Sequence, residues 1–345
     1  MTNRIASGKN WKLINQDSAD ALQKLPDSSV DYCCFSIPFI SIFVYSNSPR
    51  DLGNCKNDAE FYEHYRFIAK ELYRVLKPGR LLSVHSMVVP TSKTKDGYIG
   101  LKDLPGEIRR MHQELGFIFH SRHEIAKDPV VQMQRTKALG LLHKQLKKDS
   151  TMSRAGIPDD LSTFRKPGEN KEPVEGTLDE YYGSKVPHTT GDNSKDSINR
   201  WQVYANSQWT DIMTKFDEII PTLTPEQFEV FSQLLVLQSG SEQKAWHDIN
   251  QSDTLQAKSA KANNDERHLC VLQLDVIRRC LQLWSNPGDL VLDPFNGVGS
   301  CGHVALGMGR KYLGIELKES YFKAAVKNLK LASNSDQLSL LESAA

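Results

Sequence analysis

The chain has 345 residues, 39% hydrophobic and 25% charged, enough to bury one large core or one core with a smaller appended region. Its net charge of +1 gives no whole-chain basic excess, so any nucleic-acid footprint has to be confined to one face. No apolar run approaches the ~20 residues needed to span a bilayer, the amino terminus lacks a secretory apolar core, and the six cysteines show no C-x-x-C spacing. These features argue against membrane insertion, export and a zinc ribbon, and for a reducing, cytoplasmic setting with no metal site.

Residues 1–126 read as alternating strand and helix. The run SVDYCCFSI (29–37) is of buried-strand type, with Cys33 and Cys34 as buried thiols. Tyr62, Tyr65, Ile68, Ala69, Leu72 and Val75 share one face of a helix predicted over 60–76. Lys77-Pro78-Gly79 is expected to stop it, LLSVHS (81–86) to form the next strand, and a further helix to run over 104–115 up to Gly116.

Over 127–264 the character changes. QRTKALGLLHKQLKK is strongly basic, two polar patches read as exposed loops, and TPEQFEVFSQLLVLQ (224–238) reads as a helix capped by Thr224. Arg135, Lys137, Lys144, Lys147, Lys148 and Arg154 suit phosphate neutralisation; a solvated helix face is the alternative. Trp201, Tyr204 and Trp209 read as packing residues. From 265 to 332 the α/β rhythm returns, and 333–345 is a tail. Strand–helix alternation at both ends predicts one parallel-type sheet split by the middle insertion.

The sharpest local signal is Asp293-Pro294-Phe295-Asn296-Gly297-Val298-Gly299-Ser300, where a strand ends in an acid and a Gly-rich turn opens a helix. Gly297 and Gly299 allow a tight turn and close ligand approach, and ligands of open α/β sheets bind at the carboxyl ends of strands. The third glycine of a dinucleotide fingerprint is out of register, at Gly302. The next strand, KYLGIEL, ends in Glu316, an acid suited to two ribose hydroxyls. Together these favour S-adenosylmethionine over a dinucleotide, with Asp293, Pro294, Phe295, Gly297, Gly299, Ser300 and Glu316 around it.

A second signal, LPDSSVDYCCFSIPF (25–39), resembles the "LPDxSVDxxxxSPPF" segment of the amino-methylating DNA methyltransferases. DERHLCVLQLDVIRRCLQLWSNPGDLVLDPFNGVGS (265–300) resembles that family's "H-P-x-x-L…NPGDxVLDPFxGxGS" segment. The catalytic loop precedes the cofactor loop, as in the family's β arrangement, and MSRAGIPDDLSTFRKPGEN is similar, more loosely, to phage-encoded members. The resemblance implies a Rossmann-like S-adenosylmethionine-dependent methyltransferase fold (α/β). In it, the catalytic half lies at 1–126, an inserted target-recognition region at 127–264 and the cofactor half at 265–332. It implies double-stranded DNA as partner, a cognate restriction enzyme or none, and a homodimer as one assembly.

The resemblance also places Ser36-Ile37-Pro38-Phe39 at the catalytic tetrapeptide. An exocyclic amine is a poor nucleophile because its lone pair is conjugated into the ring. Two acceptors, the Ser36 hydroxyl and the carbonyl of residue 37, can hold its N–H groups and aim the lone pair at a sulfonium methyl, alignment supplying the rate. Phe39 can stack on a flipped-out base. Serine at the first position places cytosine N4 ahead of adenine N6. The departure is Ile37 in place of proline, which keeps the carbonyl and loses rigidity. It leaves as rival readings a DNA-binding protein of weakened catalysis or an RNA methyltransferase. Asp17 either faces the cofactor's adenine amino group or caps the following helix. Leu272 and Gln273 fall where the family contacts the methionine moiety, and His85 reads as a satisfied structural histidine.

Overall fold

The computed structural model describes residues 4–40, 48–125, 127, 132–133, 138–175, 205, 208–209, 254–255 and 272–342. In it the chain divides into two units, one of residues 1–122, 160–177 and 254–345, the other of 123–159 and 178–253. In chain order the elements are β1 (Arg4–Gly8), β2 (Trp11–Asn15), α1 (Ser18–Leu22), β3 (Val30–Ser36), α2 (Asp58–Val75), β4 (Leu76–Met87), β5 (Val89–Pro90), α3 (Lys93–Asp96), β6 (Leu101–Lys102), α4 (Leu104–Glu114) and β7 (Ile118–Ile125). There follow α5 (His143–Lys148), β8 (Asp159–Arg165), β9 (Gln208–Trp209), α6 (Leu274–Trp284), β10 (Leu290–Asp293), α7 (Ser300–Gly307), β11 (Lys311–Glu316) and α8 (Glu319–Glu342).

The main sheet runs in the order β1-β2-β11-β10-β3-β4-β8-β7, and β5 and β6 pair antiparallel as a separate two-stranded sheet. The run β2-β11-β10-β3-β4 is parallel throughout, and β1 folds back antiparallel on β2. Strand β3 is buried along its length except at Ser36, which explains its unbroken apolar reading. Helix α2 starts where the Asn57 side chain accepts the Glu60 N–H (2.9 Å) and buries Phe61, Tyr65, Ile68, Ala69, Leu72 and Val75. Each of its fully buried aliphatic side chains contributes roughly 1.5–3 kcal/mol. Below the sheet's working end, Arg80 is 1% exposed and its guanidinium bonds Asp31 (3.1 Å) and Asp289 (2.8 Å), tying β3, β4 and the entry to β10 together.

Two expectations change. Helix α2 stops at Val75, but Lys77-Pro78-Gly79 belongs to β4 rather than to a turn before it. Gly79, at φ +75°, donates to the Lys166 carbonyl (3.0 Å), and the pairing register with β3 shifts between Val30 and Tyr32 to absorb the irregular backbone. The segment 160–177 belongs to the first unit, whereas the 127–264 boundary assigned it to the insertion; β8 joins the sheet beside β4. Its side chains are buried from Asp159 to Phe164, so it satisfies the backbone edge that β4 would otherwise present.

In the second unit, β9 pairs in parallel with Glu124 and Ile125, and α5 carries an exposed lysine face. The helix expected over 224–238, with Trp201 and Tyr204, lies outside the described residues, as do Arg135 and Lys137. Among the described residues, no helix is long and apolar enough to cross a membrane.

Candidate active site

The carboxyl ends of β3, β10 and β11 open on one cavity, of about 1050 Å³ including its mouth. Asp17, Ser36, Ile37, Pro38, Leu272, Asp293, Pro294, Phe295, Gly297, Ser300 and Glu316 all stand in its wall. The two sequence signals, more than 250 residues apart, therefore meet in one place because β3 and β10 are hydrogen-bonded neighbours, Val291 opposite Tyr32 and Leu292 opposite Cys33.

The turn after β10 is built by its own side chains. Asp293 accepts the Phe295 N–H (2.8 Å), and Asn296 hangs from the Ile315 carbonyl by its backbone while its Oδ1 accepts the Tyr312 hydroxyl (2.8 Å). Phe295 is wedged against Phe35 (5.7 Å between ring centroids) and Tyr65 (6.4 Å). Gly297 takes φ +54°, which glycine adopts without strain. Its N–H donates to Glu316 Oε2 (2.7 Å), and Glu316 Oε1 accepts the Lys318 N–H (2.8 Å). Burial pushes the Glu316 carboxyl up to about 7 and the Asp293 carboxyl well above the ordinary carboxylate range. At the first turn of α7 the Ser300 hydroxyl is buried and, among the described residues, meets no hydrogen-bond partner.

Asp17 caps a helix and also lines the cavity. Its carboxylate caps α1 through the Asp20 N–H (3.2 Å), and the same side chain stands in the cavity wall, 3.6 Å from the Arg50 guanidinium. Beside it, the Ser18 hydroxyl donates to the Pro294 carbonyl and fixes α1 on the turn.

Ser36 ends β3 directly opposite His85 on β4, its Oγ 3.0 Å from His85 Nδ1. The Ile37 N–H donates to the His85 carbonyl (3.1 Å), and the isoleucine side chain is 1% exposed. A proline at 37 would remove that donor, so isoleucine here trades ring rigidity for a ladder bond.

Three placements differ from expectation. Phe39 is 2% exposed, lies edge-on to His85 (6.2 Å between centroids) and is not in the cavity wall, so in this conformation it is core rather than a stacking platform. Gln273 is the buried residue before α6 and is likewise not in the wall. Gly299, the N-cap of α7 at φ +90°, makes close room for Ala325 instead of facing the cavity. In the second unit Lys144, Lys147 and Lys148 are exposed on α5, whereas Arg154 is half-buried and bonded through its N–H to the Gly140 carbonyl (3.0 Å).

The structure adds wall residues the sequence reading passed over: Ser18, Arg50, Asp51, Asn296, Lys318 and Tyr321. Asn296 stood inside the recognised turn and Lys318 two residues beyond Glu316, so both were within reach. Arg50 and Asp51 follow a segment with no periodicity and left no signal.

A family model described as DNA methylase (N6_N4_Mtase) matches residues 38–327. The DNA adenine methyltransferase YhdJ of Escherichia coli K12 is 44% identical over 59 residues, 17% of this chain and 20% of that protein. The type II methyltransferase M.Cfr9I of Citrobacter freundii is 42% identical over 62 residues, 18% and 21% of the two chains. The alignments thus span about a fifth of those relatives' length. Among solved structures, TTHA0409 of Thermus thermophilus, complexed with S-adenosyl-L-methionine, superposes with a TM-score of 0.57 at 18% identity over 92% of both chains. The PvuII DNA methyltransferase (cytosine-N4-specific) gives 0.51 at 16% identity, covering 94% of this chain and 92% of that one. The fold is that of these methyltransferases: a Rossmann-like α/β sheet.

Proposed function

The chain belongs to the N6/N4 DNA methylase family, whose model spans residues 38–327, and on that footing we propose that it methylates an exocyclic amino nitrogen of a base in double-stranded DNA, with S-adenosylmethionine as donor. The observation that carries this reading is the shared cavity, which brings the Asp293–Gly297 turn and Glu316 together with Ser36, Ile37 and Pro38.

The residues fit the donor. Glu316 would hold the ribose hydroxyls, Asp17 the adenine amino group, and Asp293 with the buried Ser300 hydroxyl the amino-acid end, against apolar walls from Leu272, Pro294 and Phe295. Bound there, S-adenosylmethionine supplies an electrophilic sulfonium methyl. The Ser36 hydroxyl oxygen and the Ile37 carbonyl accept the two N–H groups of a flipped-out base, drawing its lone pair out of ring conjugation. Alignment makes the nitrogen reactive without prior proton removal; as the N–C bond forms the sulfur–methyl bond breaks to leave a neutral thioether, and the methylated nitrogen then releases one proton to water.

A hydroxyl at position 36 supports cytosine N4 as the target. The relatives' own names fall on both sides, adenine for the Escherichia coli protein and cytosine N4 for PvuII. The test is to incubate the protein with duplex DNA and methyl-labelled cofactor, digest, and resolve the nucleosides. N4-methylcytosine is expected. N6-methyladenine would move the target base and leave amino transfer standing; 5-methylcytosine or an absence of label would overturn the reading.

A further inference from the structure

Ser36 can serve as an acceptor only if its own proton is directed elsewhere. A hydroxyl has one O–H donor and two lone pairs. If its hydrogen points at the incoming amine, donor faces donor and the alignment fails. Beside Ser36 Oγ stands a ring nitrogen, the Nδ1 of His85, at 3.0 Å, which accepts in the neutral tautomer that carries its proton on Nε2.

That pair is not an accident of rotamers. Ser36 and His85 are register partners on adjacent parallel strands, so their side chains leave the same face of the sheet. The Ile37 N–H to His85 carbonyl bond (3.1 Å) locks the backbone between them. The imidazole is 4% exposed, with the edge of Phe39 against it, and does not reach the cavity wall.

We propose that His85 is a positioning residue for methyl transfer: as the Nε2–H tautomer it accepts the Ser36 hydroxyl proton in a hydrogen bond at Nδ1 and leaves both Ser36 lone pairs facing the target amine. No proton changes hands and no bond is broken; His85 acts through Ser36 alone. The inference rests on the amino-transfer reading of the same site. It also gives buried Phe39 a use, as the ring that holds the imidazole plane.

The test compares His85→Asn, whose amide oxygen reaches the position of Nδ1, with His85→Leu, which fills similar space without an acceptor. Leu should lower kcat roughly 10- to 100-fold, the cost of misaligning a reacting group. The KM for DNA and the cofactor affinity should hold, and Asn should restore kcat to within about threefold of the parent. Each is then built on Ser36→Ala, where the residue-85 effect should vanish because the hydroxyl it orients is gone. A structural role would leave the effect equally large in both backgrounds. If Leu does not fold, His85→Gln replaces it, its amide reaching the ε rather than the δ position. Parental kcat in Leu or Gln, or failure of Asn to rescue, overturns the proposal. A parent that puts no methyl on DNA would overturn the functional reading beneath it instead.

Discussion

Glu316 shows at the scale of one residue what it takes to hold a carboxyl in the cavity wall. Its carboxyl, buried and met by two backbone N–H groups, titrates at about 7 against an ordinary 4.5. The folded chain therefore keeps a proton that the unfolded chain releases. That contribution to stability is complete below about pH 4.5 and is lost as pH rises toward 7, by at most roughly 3 kcal/mol. If Glu316 holds the ribose, cofactor binding runs the other way, since hydroxyls donate best to the ionised form. Calorimetry should find affinity up to roughly tenfold higher at about pH 8 than at about pH 6. In Glu316→Gln it should be weaker by roughly 1–3 kcal/mol and should lose that dependence. An equal pH slope in both proteins would remove Glu316 from the ribose. Its place in the cavity wall was legible, because it is a strand-end acid one strand past a Gly-rich turn. Its raised titration was not, because burial of a carboxylate is a property of the assembled sheet. For Phe39 the sequence fits stacking and packing equally well, and its burial beside the His85 ring comes from the assembled sheet.

Elements were legible where period and caps agreed. Helix α2 and strand β3 follow their apolar patterns to within a residue or two. Strand β4 escaped because K-P-G is the strongest local stop, and its continuation depends on Lys166, nearly ninety positions away, accepting from Gly79. In α7 the out-of-register Gly302 has a role no fingerprint predicts. A Cβ there would overlap the Tyr312 ring and Leu329, so glycine lets α7 settle onto β11 and α8. Tyr312 in turn holds Asn296 in the cofactor turn (2.8 Å). Gly302→Ala should therefore lower stability by roughly 1–3 kcal/mol, the usual cost of overpacking. It should also weaken cofactor binding, though no cofactor atom need lie near it. Thermal melting with and without S-adenosylmethionine checks both; an unchanged Tm would mean the ring moves aside freely.

For the whole molecule, the parallel sheet was legible from strand–helix alternation at both ends, but the return of β8 to it was not, because DDLSTFR follows a basic, polar stretch and looks like part of it. The second unit carries the exposed lysines of α5. If these meet DNA, replacing Lys144, Lys147 and Lys148 with Gln should flatten the slope of log affinity against log salt by roughly 2–3, at about 0.9 per lost phosphate contact. Cofactor affinity should stay at the parental value. Filter binding across a salt series measures the slope, and an unchanged slope would return α5 to the solvated surface. The strand order has a consequence for how such a chain is made. Strands β2 and β3 lie three places apart in the sheet, and the two that fill the gap, β10 and β11, are synthesised more than 250 residues later. A ribosome adding roughly 5–20 residues per second leaves that gap open on the order of tens of seconds. Any β2 or β3 formed in that interval has one edge without its partner strand, and an open edge is a template for sticking to neighbours. The cavity, straddling the ends of β3 and β10, cannot close before β10 has been made.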